Sequence, residues 1–163
     1  YCPGSINLKP FNRLSIDEFK EDFEINVLGA VKVIQKYLGV LKKGTHPSII
    51  LFSTVASKLG MPYHASIATA KAGVEGLVKS LGAEFAPTIR INAIAPTITD
   101  TSLAQKILRN DAMKEKMIER HPLKKYLDPA EVAEMASFLL SEKSQSISGQ
   151  TFELDCGIVS FKI

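Results

Sequence analysis

The chain has 163 residues, 45% of them hydrophobic and 23% charged, a composition that fits one globular domain with its own core and excludes a disordered or fibrous chain. Twenty basic against seventeen acidic residues leave a charge of only +3, and the pairs Lys42-Lys43 and Lys124-Lys125 read as solvated surface, so nucleic acid is excluded as a partner. No apolar run reaches the roughly 20 residues of a membrane span, no charged-then-apolar leader opens the sequence, and Cys2 and Cys156 read as thiols in a reducing, cytoplasmic compartment. His46, His64 and His121 show no ligand spacing with each other or with the cysteines, so no metal site is expected.

The first predicted element is a long amphipathic helix over residues 16–43. Ser15 and Glu18 have capping-box spacing, and Phe19, Phe23, Val27, Ala30, Val31, Ile34 and Leu38 recur at three- and four-residue steps before Gly44 closes the helix. Residues 48–53 form a short apolar run that predicts a strand buried on both faces. A second long helix is expected over residues 62–86, with Pro62 in its first turn and small residues such as Ala65, Ala68, Gly73 and Gly76 allowing close backbone approach. A second strand covers residues 89–94 and stops at Pro96. A charged helix follows over residues 102–120, then a helix capped by Asp128 and Glu131 that runs to about residue 140. Residues 151–155 form the last strand. Strands separated by helices predict parallel βαβ units. The expectation is a single α/β domain over residues 1–163, about three parallel strands with long flanking helices.

Four segments in this order resemble landmarks of the short-chain dehydrogenase/reductase family. They are Ile25-Asn26-Val27-Leu28-Gly29 in the first helix; the strand end Phe52-Ser53-Thr54 with the Ile67-to-Lys71 helix; Ile91-Asn92-Ala93-Ile94-Ala95-Pro96 followed by Asp100 and Thr101; and Ile147-Ser148-Gly149-Gln150 through Asp155. The resemblance implies a partial Rossmann-like, doubly wound parallel sheet lacking its N-terminal nucleotide-binding half. It implies a catalytic set of Asn26, Thr54 and Lys71, with Ile67 at the usual tyrosine position. It also implies a nicotinamide cofactor, NAD or NADP, contacted by Lys71, Pro96, Ile98 and Thr101.

Several positions depart from the family pattern. In such enzymes a phenol gives a proton to the oxygen on which charge builds during hydride transfer, help worth about 10² to 10⁴ in rate; isoleucine has no proton to give. Tyr63 lies eight residues before Lys71, roughly 12 Å along a helix and too far to substitute. Thr97 stands where the family has a glycine. Tyr1-Cys2-Pro3-Gly4 keeps only the glycine of the family's N-N-A-G segment, and no glycine-rich turn for a pyrophosphate occurs. The strand over 48–53 is therefore expected to expose an edge, and the chain to be part of a longer protein. The resemblance implies an NAD(P)-dependent oxidoreductase of carbonyl or alcohol substrates, inactive as this chain alone. The alternative is a non-catalytic relative, a pseudoenzyme kept for nucleotide binding or assembly. Pairing into a homo-oligomer through helices 16–43 and 62–86 follows from the same resemblance.

Overall fold

The computed structural model describes residues 1–161. Its centre is a three-stranded parallel sheet in the order β1 (Ser48–Phe52), β2 (Arg90–Pro96), β3 (Thr151–Leu154). Ile50 of β1 lies opposite Asn92, and Ala95 of β2 opposite Glu153. The connections are helical, as parallel pairing requires: α3 (Ala65–Phe85) joins β1 to β2, and α4 (Asp111–Arg120) and α5 (Pro129–Leu140) lie between β2 and β3.

The first long helix is three pieces. α1 (Ile16–Phe23) starts at the Ser15–Glu18 capping box, a π turn follows over Glu24–Leu28, and α2 (Gly29–Leu41) completes it. A π turn takes one extra residue per hydrogen-bonded ring, which places Asn26 and Val27 together in the interior. Gly29 opens the space beside it: a Cβ there would lie 2.1 Å from the Tyr1 hydroxyl, which donates to the Ile25 carbonyl at 2.6 Å.

Alternation along the strands divides the core. Ile49, Leu51, Ile91 and Ala93 face α2 and α3 and pack with Ala30, Ile34, Val74 and Val78. Ile50 and Ile94 face α5 and pack with Leu139 and with half-buried Val132 and Ala136. The small residues of α3 permit its closest approach at Gly82, where a Cβ would come within 3.0 Å of the Gly149 backbone. Gly149 itself has φ of +72°, a conformation that glycine adopts without strain.

Several expectations need correction. α3 begins at Ala65, so Pro62 and Tyr63 precede the helix and Tyr63 is an exposed residue with φ of +69°. The charged helix expected over 102–120 is a single 3₁₀ turn (Ser102–Ala104) and then α4, whose cap is Asn110 through a 2.9 Å bond from the Met113 amide. β2 includes Pro96, because that residue is the last of its pairing with β3. The outer edge of β1 is partly covered: the Tyr1 backbone nitrogen donates to the Ile50 carbonyl at 2.9 Å and the Lys71 Nζ to the Phe52 carbonyl at 2.8 Å.

Candidate active site

The carboxyl ends of β1 and β2 open into a cavity of about 750 Å³, the place where open parallel sheets hold ligands. Thr54, Ile67, Lys71, Pro96, Ile98 and Thr101 all line it. These residues come from three separate segments, and the fold brings them to one wall system.

β1 delivers Ser53 and Thr54 side by side, and their hydroxyls have different tasks. Ser53 is buried and donates to the Glu75 carboxylate at 2.6 Å. Thr54 has extended backbone, and its Oγ1 accepts from the Ala56 amide at 3.3 Å to cap the 3₁₀ turn Val55–Ser57. A hydroxyl that accepts there keeps its own proton for a ligand in the cavity.

Ile67 and Lys71 are one turn apart on α3 and share a face. Ile67 is 5% exposed and Lys71 9% exposed. Burial lowers the Lys71 pKa to about 8, with Cys2 and Asp22 opposing the shift. Of its three N–H donors, one is used by the Phe52 carbonyl. The Lys71 ammonium therefore offers further donors to a polyhydroxy ligand.

Asn26 stands behind the cavity and does not line it. Its Nδ2 donates to the Asp22 carbonyl at 2.7 Å and to Ser5 Oγ at 2.9 Å. A Cβ at Gly4 would lie 3.5 Å from Asn26 Oδ1 and 3.6 Å from Lys71 Nζ, so that glycine lets the two polar groups approach. Asp22, unnoticed in the sequence, is fully buried; its carboxyl group accepts from Ser5 (2.5 Å), Asn7 (3.1 Å) and Ser66 (2.6 Å). Its position four residues before Asn26, on the same helical face, was the available signal.

The loop after β2 is held by backbone bonds: Thr97 N to the Leu154 carbonyl at 2.8 Å, Leu127 N to the Ile98 carbonyl at 3.1 Å, and Asp100 N to the Leu127 carbonyl at 2.9 Å. Thr97 is not among the residues with positive φ, so the loss of glycine there imposes no backbone strain. Its hydroxyl is instead 2.7 Å from His121 Nε2. That pairing, across 24 residues of sequence, had no signature in spacing.

Among the described residues, no group of three His, Cys, Asp or Glu side chains is placed to hold a metal ion, and no helix is long and apolar enough to cross a membrane. Both cysteines are free thiols, Cys2 exposed and Cys156 buried.

A family model described as "Enoyl-(Acyl carrier protein) reductase" matches residues 2–159. The 2,5-dichloro-2,5-cyclohexadiene-1,4-diol dehydrogenase of Sphingobium indicum is 31% identical over 155 residues, covering 93% of this chain and 62% of that protein. Carbonyl reductase [NADPH] 2 of Sus scrofa is 28% identical over 155 residues, covering 94% and 64%. The chain thus spans under two thirds of the length of these curated relatives. Among solved structures, a gluconate 5-dehydrogenase from Burkholderia cenocepacia in complex with NADP and tartrate superposes with a TM-score of 0.91 at 27% identity, covering 98% of this chain and 63% of that one. The parallel sheet and its helical connections are therefore Rossmann-like.

Proposed function

This chain belongs to the short-chain dehydrogenase/reductase family, and from that premise we propose that it supplies the nicotinamide and substrate side of an NAD(P)-dependent oxidoreductase acting on a carbonyl or alcohol. The observation that carries the proposal is the convergence of Thr54, Lys71, Pro96, Ile98 and Thr101 on one cavity at the ends of parallel strands. The chain's groups fit the nicotinamide half of a dinucleotide. Lys71 would hold the ribose hydroxyls with its remaining N–H donors. Pro96 and Ile98 would contact the ring, Thr101 would bond the carboxamide, and Asn26 would support Lys71 from behind through the layer that includes Asp22 and Ser5. Thr54 would donate to the substrate oxygen. The cofactor, when bound, would supply a hydride.

The pyrophosphate-binding glycine-rich turn belongs, in this proposal, to residues beyond the 163 of this chain, which act as one α/β domain. We further propose self-association through α2 and α3: Val33, Tyr37 and Val40 of α2 are exposed apolar side chains, and burying such a face in a symmetric dimer removes it from water.

One observation favours a second reading. Ile67, at the cavity wall, carries no polar atom, and a protein without an acid at that place could bind the nucleotide without turning it over. Titration of full-length protein with NADH and NADPH, repeated with Ile67→Tyr, separates the two. Nucleotide binding is expected in both forms, and a rate gain of about 10² to 10⁴ in the variant would favour the second reading. Failure of both forms to bind NADH and NADPH alike would overturn the oxidoreductase and the nucleotide-binding readings together.

A further inference from the structure

Two buried side chains in the cavity wall have no part in the arrangement above. Thr97 follows β2 and His121 caps the carboxyl end of α4; they are 8% and 1% exposed. Both line the cavity that holds Thr54, Ile67 and Lys71. His121 Nε2 lies 2.7 Å from the Thr97 hydroxyl, and His121 Nδ1 lies 2.6 Å from the Met117 carbonyl oxygen. A carbonyl oxygen only accepts, so Nδ1 carries hydrogen whether the ring is neutral or charged. The Nε2 position then decides the direction of the other bond. The neutral ring accepts the threonine proton, and the imidazolium donates to the threonine oxygen. A hydroxyl backed by an imidazole, itself oriented by an acceptor, is an arrangement through which enzymes move protons. Both backbones are fixed, by the Thr97 N to Leu154 O bond and by the His121 N to Ile118 O bond at 3.2 Å. The charged or titratable neighbours of His121 along its own segment are Glu119, Arg120 and Lys124, and Asp155 and Cys156 belong to the segment joined to it by the 3.1 Å bond from the Leu123 amide to the Cys156 carbonyl.

We propose that Thr97 and His121 form a proton relay that takes the place of the acid absent at Ile67, an inference that rests on the oxidoreductase reading above. In the reducing direction the substrate carbonyl carbon gains a hydride from a dihydronicotinamide, and the carbonyl π pair moves onto oxygen. That oxygen takes the Thr97 hydroxyl proton, Thr97 Oγ1 takes the Nε2 proton of the imidazolium, and the ring is left neutral until solvent recharges it. The carbonyl is reduced by two electrons, the nicotinamide is oxidised by two, and one proton is consumed. Thr97 is the catalytic residue in this scheme; His121 acts through it.

The test uses full-length protein carrying Thr97→Val, Thr97→Ser or His121→Gln, each alone and with Ile67→Tyr. The first readout needs no turnover. Ring-nitrogen NMR should show Nδ1 carrying hydrogen and Nε2 engaged in a hydrogen bond, and Thr97→Val should move the Nε2 resonance while leaving Nδ1 in place. An Nε2 resonance that Thr97→Val leaves unmoved overturns the relay whatever the substrate. The second readout is reduction of ethyl acetoacetate and 2,3-hexanedione by NADPH. Thr97→Val and His121→Gln should each lower kcat about 10² to 10⁴-fold while leaving NADPH affinity intact, Thr97→Ser should recover most of that loss, and the same substitutions beside Ile67→Tyr should cost under about tenfold. Turnover unaffected by either substitution, or seen only with tyrosine at position 67, sinks the relay and leaves nucleotide binding standing. Loss of nucleotide binding in every form, wild type included, sinks the oxidoreductase reading and the relay with it.

Discussion

The two faces of the sheet are built from alternate residues of the same strands, yet they are packed to different depths. On the α2–α3 face, eleven buried side chains form one cluster, and Val78, Ile91 and Ala93 are wholly shielded. On the α5 face the apolar cluster of the described residues has three buried members, Ile50, Ile94 and Leu139, and Phe52, Val132, Met135 and Phe152 around them remain half-buried. The deep face carries α3, and with it Ile67 and Lys71; the shallow face borders the cavity, which Val132 and Ala136 line. Rigidity is thus concentrated behind the groups that must be aimed. The side left open is the one where a ligand must enter.

Substitutions on the deep face should sharpen this contrast most. Ile91→Ala removes a wholly buried side chain between the sheet and α3 and should cost about 2–5 kcal/mol in urea unfolding of the full-length protein. A cost as small as that of a shallow-face truncation would show the two faces to be equivalent. The next effect is electrostatic. Because burial holds the Lys71 pKa at about 8 against 10.5 for the free side chain, the folded state bears the cost of a desolvated charge at neutral pH. Between pH 8 and 10.5 the unfolded chain binds the extra proton, so stability rises with pH across that window. Against Lys71→Met, wild type should gain about 3 kcal/mol over the interval. A stability difference that is flat from pH 7 to 11 would show that Lys71 is solvated.

Gly82→Ala places a methyl group 3.0 Å from the Gly149 backbone. Pushing α3 away from the segment entering β3 should cost about 1–3 kcal/mol, and a neutral result would show that α3 can shift, contrary to a rigid deep face. Smallest is Val132→Ala on α5. Its half-buried side chain borders the cavity, so the loss should be about 1 kcal/mol or less. A loss matching that of Ile91→Ala would place the shallow face at the same packing depth.

Much of this architecture was legible in the residues. The capping boxes at Ser15–Glu18 and Asp128–Glu131 both form, and the apolar runs read at residues 48–53 and 89–94 become β1 and β2, shifted by one or two residues at their ends. The site residues named from the resemblance share a cavity, except Asn26, which stands one layer behind. What could not be read has physical causes. Three- and four-residue apolar steps do not report an extra residue in one turn, so the π turn was hidden within a continuous helix. In the charged stretch after residue 102 the apolar steps Leu103, Ile107 and Leu108 run on toward Met113 and Met117, so periodicity did not mark a break, and the Asn110 cap was the local sign of where α4 starts. Thr97 counted as a loss because its backbone was judged by the glycine it replaces. Its bond to His121 depends on the path of α4, and no spacing rule predicts it.

Taken as a matter of length, the π turn at Glu24–Leu28 is one residue of slack in an otherwise regular rod. Deleting Glu24 or Leu28 would let the rod close into an uninterrupted α-helix, and because the π ring already holds the extra residue within one turn, Asp22 would keep its face toward Ser5 and Ser66. A single-residue deletion in α2 or α4 has no such slack and rotates everything on one side of it by about 100°. A chain that unfolds on losing a residue from α2 or α4 should therefore tolerate the loss of one here.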